Sequence, residues 1–458
     1  MATILIVIFV VGYLFIALEH NLHIDKAASA LITGTLCWAV LVLGWHEAPA
    51  HLAEAYQAFD HGGSGHGALK VFFEHRLLHH MEEIASILFF LMGAMTIVEL
   101  VDAHNGFAVI TDKIKTRKKD RLLWIIGILT FFFSAALDNL TTSIVMISLL
   151  RKLIADKPTR WLFAGAVIIC ANAGGAWSPI GDVTTTMLWI GGQLTTPVIV
   201  VNLILPSIVC MVVPLAIMSM RMKGEVERPE VQDLEEEADP TTKGERNLIF
   251  AMGVSGLLFV PVFKTVTHLP PFMGMMLSLG VLWLTTEVLH RSKNEQERSM
   301  LSVVGVLRKI DTASVMFFLG ILLAVGALQE AGHLVATADW LRTALGDVYL
   351  INVAIGLLSA IVDNVPLVAA SMGMYPIADP GAVEWMGYFV QDGIFWQFLA
   401  YCAGTGGSAL IIGSAAGVAV MGLEKIDFVW YVKRMSLLAI AGYLAGAAVY
   451  WLMFGMAG

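Results

Sequence analysis

The sequence predicts an all-α polytopic membrane protein. About ten spans are expected, plus two re-entrant hairpins, in two inverted-topology repeats with broken helices at the midplane. Three observations predict it. Hydrophobic residues make up 57% of the chain and charged residues only 14%, where a soluble domain carries about 25% charged; mean hydropathy is +0.76. A motif with adjacent Asp and Asn occurs twice inside apolar segments, as "SAALDNL" (134–140) and "SAIVDNV" (359–365). Two further apolar segments are interrupted by glycine-rich runs, "NAGGAWSPIGD" (172–182) and "GTGGSALIIGS" (404–414).

A helix needs roughly 17–25 apolar residues to cross a bilayer, and its backbone must satisfy itself. Full spans are expected near 3–18, 27–44, 83–101, 161–192, 197–220, 247–263, 271–289, 312–329, 394–422 and 435–454. The first lacks a basic n-region and a clear cleavage site, so it reads as a retained span. Short loops rich in Lys and Arg face the cytoplasm. Both 112–121 ("DKIKTRKKDR") and 151–160 ("RKLIADKPTR") are basic. A segment with both flanks on one side cannot cross once, so 122–150 is expected to turn back near Asp138-Asn139. The stretches 330–349 and 374–393 are poor in Lys and Arg and read as external, so 350–371 dips in from outside.

The net charge of −9 owes much to one acidic run, 224–240, expected to be a solvated linker. It is no signal for a partner, and nothing suggests nucleic acid. The four cysteines are widely spaced in apolar segments and read as small buried thiols.

Three stretches recur in order. "ASILFFL" (85–91) matches "ASVMFFL" (313–319) at an offset of 228, the Asp-Asn motifs match at 225, and the glycine runs at 232. Each half contributes an odd number of spans, which inverts the second copy. The expected division is a first repeat over 1–222, a linker over 223–245 and a second repeat over 246–458. Paired broken helices in two halves point to a substrate site; the alternative is that the glycines serve tight helix packing.

Two hairpin tips and two helix breaks would converge. They bring Asp138, Asn139, Thr141, Thr142, Asn172, Ser178 and Asp182 from the first half, with Ser134 in support. The second half brings Asp363, Asn364, Thr405 and Ser408, with Ser359 and Ser414 in support. An ionised group at the bilayer centre costs about 2.5–3.5 kcal/mol on insertion scales, so such aspartates read as functional. The alternative is that each caps a half-helix. No Arg, Lys or His lies within the hairpin cores or the breaks. Carboxylate, amide and hydroxyl oxygens suit a small hard cation. Clustered carboxylates in a low dielectric also hold protons, so proton and cation would compete. That competition is the minimal mechanism of a cation/proton antiporter.

"LDNLTT", "NAGGAWSPIGD" and "VDNVP" resemble the signatures of NhaD-type Na⁺/H⁺ antiporters, of the ion transporter superfamily. The resemblance covers nearly the whole chain. In the wider superfamily the tips carry Ser-Asn-Thr; here Asp138 and Asp363 take the serine's place, which favours a cation over an anion. The resemblance implies a homodimer with elevator-like motion and Na⁺ or Li⁺ as the transported ion. Asp138, Asn139, Thr141, Asn172 and Asp182 match its first motif pair, and Asp363 and Asn364 its second.

Glu99, near the end of its span, is read either as a proton relay or as a side chain reaching the interface. The region 45–82 holds His46, His51, His61, His66, His75, His79 and His80. It reads as a polar surface loop with an amphipathic helix, with a pH sensor or metal binding as alternatives. Asp311 is expected to cap a helix.

The expected function is secondary active Na⁺(Li⁺)/H⁺ antiport by alternating access in a bacterial inner membrane. Na⁺ would be held by Asp138 and Asp363 with Asn139 and Asn364. The partners are then Na⁺ or Li⁺, protons, the lipid bilayer and a second copy of the chain; no cofactor and no enzymatic reaction are expected. The alternative is an anion carrier of the same superfamily, for a dicarboxylate or an arsenite-like ion. An intramembrane aspartyl protease would need its two aspartates on adjacent spanning helices, and a channel would need a continuous pore.

Overall fold

The computed structural model describes residues 2–45, 49–59, 66–111, 113–229 and 241–456, and they are helical throughout, without a strand. In the first half the main helices are α1 (Ala2–Ala17), α2 (Lys26–Gly44), α3 (His66–Ala103), α4 (Lys119–Leu137), α5 (Asn139–Leu153), α6 (Lys157–Gly175), α7 (Val183–Ile190) and α8 (Thr196–Arg221). The second half continues with α9 (Lys243–Thr267), α10 (Pro271–Leu289), α11 (Thr312–Glu330), α12 (His333–Leu345), α13 (Val348–Leu358), α14 (Asn364–Met374), α15 (Ile394–Gly406), α16 (Ala415–Glu424) and α17 (Leu437–Phe454).

Among the described residues, eight helices are long and apolar enough to cross a membrane, or up to nine if a bent pair counts as one span. Ten full spans were expected. The difference lies in three places. The segments 161–192 and 394–422 are each split, at 176–182 and 407–414. The first helix has 16 residues, short of a full crossing by the same measure. The first hairpin arm, α4, is in turn long enough to cross.

Both hairpins form. At the first, α4 and α5 are separated by Asp138 alone. Their outer ends return to one place, where Lys119 Nζ donates to Thr159 Oγ1 at 3.4 Å. At the second, α13 and α14 flank residues 359–363. Both arms end beside Phe395: Asn352 Nδ2 donates to its carbonyl at 3.3 Å, and Tyr375 packs on its ring.

The helical pairs exchange between halves. The α1–α2 pair packs on α11 of the second half, and the α9–α10 pair on α3 of the first. Where α2 crosses α11, Gly34 and Gly320 let the backbones approach, and Trp38 Nε1 donates to the Leu323 carbonyl at 2.8 Å. Close approach is worth more than side-chain bulk between helices in lipid. Outside these seams, α1 shows Ile4, Val7, Val10, Leu14 and Phe15 to its surroundings, as a lipid-facing helix does.

Hairpin and broken helix are sewn together by the recurring residues. Ser134 Oγ donates to the Ala171 carbonyl at 2.6 Å, and Ser359 Oγ to the Ala403 carbonyl at 3.2 Å. A methyl on Gly174 would strike the Phe131 carbonyl, and one on Gly406 would strike the Gly356 carbonyl. The glycines thus serve close packing as well as the breaks.

The ends of the broken helices are clasped. Buried Glu424, at the end of α16, accepts from Arg151 Nε at 2.7 Å and Arg160 Nε at 2.8 Å. At the other end, Asp392 accepts from Thr195 N at 2.6 Å and Thr195 Oγ1 at 2.8 Å.

Three loop expectations change. The stretch 330–349 holds α12, which turns by 114° into α13. The linker expected over 223–245 is anchored where it is described: the Gly224 carbonyl accepts from Lys119 N at 3.0 Å, and Ala155 N donates to the Glu227 carbonyl at 2.8 Å. It also ends early, because α9 starts at Lys243 with a Thr242–Glu245 capping box; residues 230–240 lie outside the described residues. Four of the seven histidines of the histidine-rich region, from His66 to His80, lie in the first part of the continuous helix α3. His46 and His61 lie outside the described residues, while His80 and Arg76 both bind buried Glu330, at 2.8 and 2.7 Å. Asp311 caps α11 through Ser314 N, and the four cysteines are buried and free, as expected.

Candidate ion-binding site

The local sequence sets the tips. Asp138 ends α4 and caps α5, with φ at 107° and ψ at 161°. Few residues other than glycine are held in this region, at a cost of about 1–3 kcal/mol. Its carboxylate offsets part of that strain: Oδ1 accepts from Thr141 N at 2.7 Å and Oδ2 from Thr141 Oγ1 at 2.8 Å. Asp182 caps α7, its Oδ1 accepting from Thr184 N and Thr184 Oγ1, both at 2.9 Å. Asp363 caps α14 through Val365 N at 3.1 Å, and Ser414 caps α16 through Gly417 N at 3.2 Å. The capping alternative is therefore real, and four helix N-termini meet at the two tips and two breaks.

Two carboxamides join these ends across the halves. Asn139 Nδ2 donates to Asp182 Oδ2 at 2.8 Å and to Asn172 Oδ1 at 3.0 Å. Asn172 Nδ2 then donates to Ser408 Oγ at 2.9 Å and Ser414 Oγ at 3.0 Å. Asn139, Asn172, Asp182, Ser408 and Ser414 are all buried. Asp182 lies within electrostatic reach of both Asp138 and Asp363. No basic side chain bonds any of the three carboxylates among the described residues.

Other expected site residues do different work. Ser134 and Ser359 bind backbone carbonyls, as above, and Ser178 Oγ donates to the Ala135 carbonyl at 2.5 Å. Thr405 Oγ1 bonds back to the Tyr401 carbonyl at 2.6 Å. Thr142 is buried, and its hydroxyl has no hydrogen-bond partner among the described residues. Asn364 is buried but does not join the Asn139–Asn172 chain. Glu99 stays apart from the network, with Asp102 and Lys309 as its charged neighbours. No group of three His, Cys, Asp or Glu residues that could hold a metal ion closes up among the described residues. Thr184 and Tyr13 were missed. Thr184 had a signal, in the Asp-x-Thr of "GDVTTT"; Tyr13 had none.

Two hairpins and two broken helices meeting at capped ends, inside a polytopic bundle, define a membrane transporter. A family model described as citrate transporter matches residues 5–390. The chain is 47% identical over 445 residues to sodium/proton antiporter 1 of Arabidopsis thaliana, covering 97% of this chain and 71% of that protein. It is 43% identical to sodium/proton antiporter 2 of the same plant, over 97% of each. It is also 30% identical to the Na⁺/H⁺ antiporter NhaD of Alkalimonas amylolytica, over 98% of this chain and 90% of that one. The chain belongs to the NhaD-type antiporter family.

Proposed function

We propose that this protein is a secondary active antiporter that exchanges Na⁺ or Li⁺ for protons. The observation that carries this is the occupancy of the helix ends. At three of the helix ends one N–H that could attract an anion is already taken by the chain's own carboxylate, at Asp138, Asp182 and Asp363, which also brings negative charge to that end. What remains to offer is oxygen and negative charge. A dehydrated Na⁺ is matched by carboxylate, amide and hydroxyl oxygens, and a proton competes for the same carboxylate oxygens. Asp138 and Asp363 with Asn139 and Asn364 would hold the ion, with Asp182 and Asn172 behind Asn139. Alternating access would follow from elevator-like movement of the hairpins and broken helices, organised as inverted repeats over 1–222 and 246–458. We place the protein in a bacterial inner membrane as a homodimer, without a cofactor or an enzymatic reaction. The relatives named as sodium/proton antiporters support the ion pair.

The description of the matching family favours a second reading, a carrier of citrate-like anions. It would need basic side chains or free helix ends at the site, and the tips supply neither. Proteoliposomes with an imposed pH gradient decide between the two. Addition of Na⁺ or Li⁺ should collapse the gradient, and Asp138→Asn and Asp363→Asn should each abolish the response. A cation-blind protein that takes up labelled citrate would overturn the antiport reading.

A further inference from the structure

The three site carboxylates are not equally held. Both oxygens of Asp138 accept from Thr141, and both oxygens of Asp182 accept, from Thr184 and Asn139. Asp363 accepts one bond, from Val365 N to Oδ1. Its other oxygen has no donor among the described residues. The next residue, Asn364, is 4% exposed, and its carboxamide has no hydrogen-bond partner among them either. The second tip therefore has the more open pair of ligands and the weaker local bonding.

Something outside the hairpin holds it. The Asp363 N–H donates to the Tyr13 hydroxyl oxygen at 3.0 Å, joining the tip to α1. The first tip needs no such help, because the Asp138 N–H bonds to the Ser134 carbonyl within its own turn, at 3.3 Å. Tyr13 is itself fixed. Phe9 lies one turn earlier, with ring centroids 6.1 Å apart, and Gly12 seats α1 directly against Thr33 of α2. The phenol is also within electrostatic reach of the Asp363 carboxylate.

We propose that Tyr13 is a positioning residue for cation binding. Its oxygen accepts a tip N–H, that of Asp363, which the hairpin itself does not satisfy. That holds the Asp363 backbone so that the open carboxylate oxygen and the Asn364 carboxamide are presented together. This rests on the antiport reading, which the unsubstituted protein tests first.

Tyr13→Phe removes the hydroxyl and keeps the ring. In proteoliposomes the half-saturating Na⁺ concentration should rise about two- to tenfold, the range spanned by one lost hydrogen bond. The maximal rate and the amount of folded protein should be unchanged, and the melting temperature should fall only by what one lost hydrogen bond is worth. Phe9→Leu trims the neighbouring ring, spares the hydroxyl, and should shift half-saturation clearly less than Tyr13→Phe does. Equal half-saturation in Tyr13→Phe and the unsubstituted protein would overturn the proposal while antiport stands. So would a fall in maximal rate alone, or an equal shift in Phe9→Leu, since either marks plain packing. Absence of Na⁺-driven exchange in the unsubstituted protein would overturn the antiport reading, and this one with it.

Discussion

Replacing Asn172 by alanine tests whether the two halves are joined at the site. The side chain makes three bonds: it accepts from Asn139 and donates to Ser408 and Ser414. At about 0.5–1.5 kcal/mol net for each neutral bond, their loss costs about 1.5–4.5 kcal/mol of stability. Only one of the three reaches a proposed cation ligand. Asn139 keeps its bond to Asp182 and loses the one to Asn172, so ion binding should weaken by about 1 kcal/mol, roughly fivefold in half-saturating Na⁺. The assay is paired: thermal unfolding of the purified protein in detergent, and Na⁺-driven exchange in proteoliposomes. The variant should melt earlier and need more Na⁺. An unchanged melting temperature with unchanged half-saturation would refute the bridge, and the assignment of Asn139 as a ligand would lose its main structural support.

Glu424→Gln should destabilise by about 3–5 kcal/mol, because it leaves Arg160 without its buried partner; combining it with Arg160→Gln should cost less than the two separate losses added. Gly406→Ala should prevent folding or abolish exchange, since the methyl meets the Gly356 backbone, whereas Gly280→Ala has nothing within 4 Å and should exchange normally. His104, just past the end of α3, lies tilted against His290 with ring centroids 4.9 Å apart, and burial lowers its pKa to about 4. Its neutral form is the one the fold favours. That contribution is present above the unfolded value near 6.5 and is lost as pH falls toward about 4, a span of about 3 kcal/mol. Thermal melts over that range should fall with pH, and His104→Gln should flatten the fall; identical profiles would sink this assignment.

The hairpins and breaks were legible because each tip repeats a short motif whose polar residues stand out in an apolar segment. The repeat offsets even match geometry: Ser134 and Ser359 differ by 225 and bind Ala171 and Ala403, which differ by 232. What polarity does not tell is which partner a group takes. Ser178, read as a ligand, and Ser134 and Ser359, read as supporting residues, donate to backbone carbonyls. The helix α12 was missed because a stretch poor in Lys and Arg marks the side of the membrane, not the secondary structure. The ion pairs of Glu330 and Glu424 join residues about 250–270 positions apart, and no local pattern announces them. Tyr13 was hidden for the same reason, as one polar atom on an otherwise apolar helix.

The clasps at the two ends of the broken helices have a mechanical consequence. Glu424 shuts one end with two guanidinium groups, and Asp392 shuts the other with a neutral threonine. Sliding the half-helices past one another would strand a buried carboxylate, at a cost several times thermal energy. The half-helices that carry the breaks are thus held to their neighbours at both ends. The two closures also differ in kind. The ionic one weakens in salt to the extent that water reaches Arg151, whereas the threonine closure is indifferent to it. The same pair of broken helices is therefore fastened salt-sensitively at one end and by a neutral partner at the other.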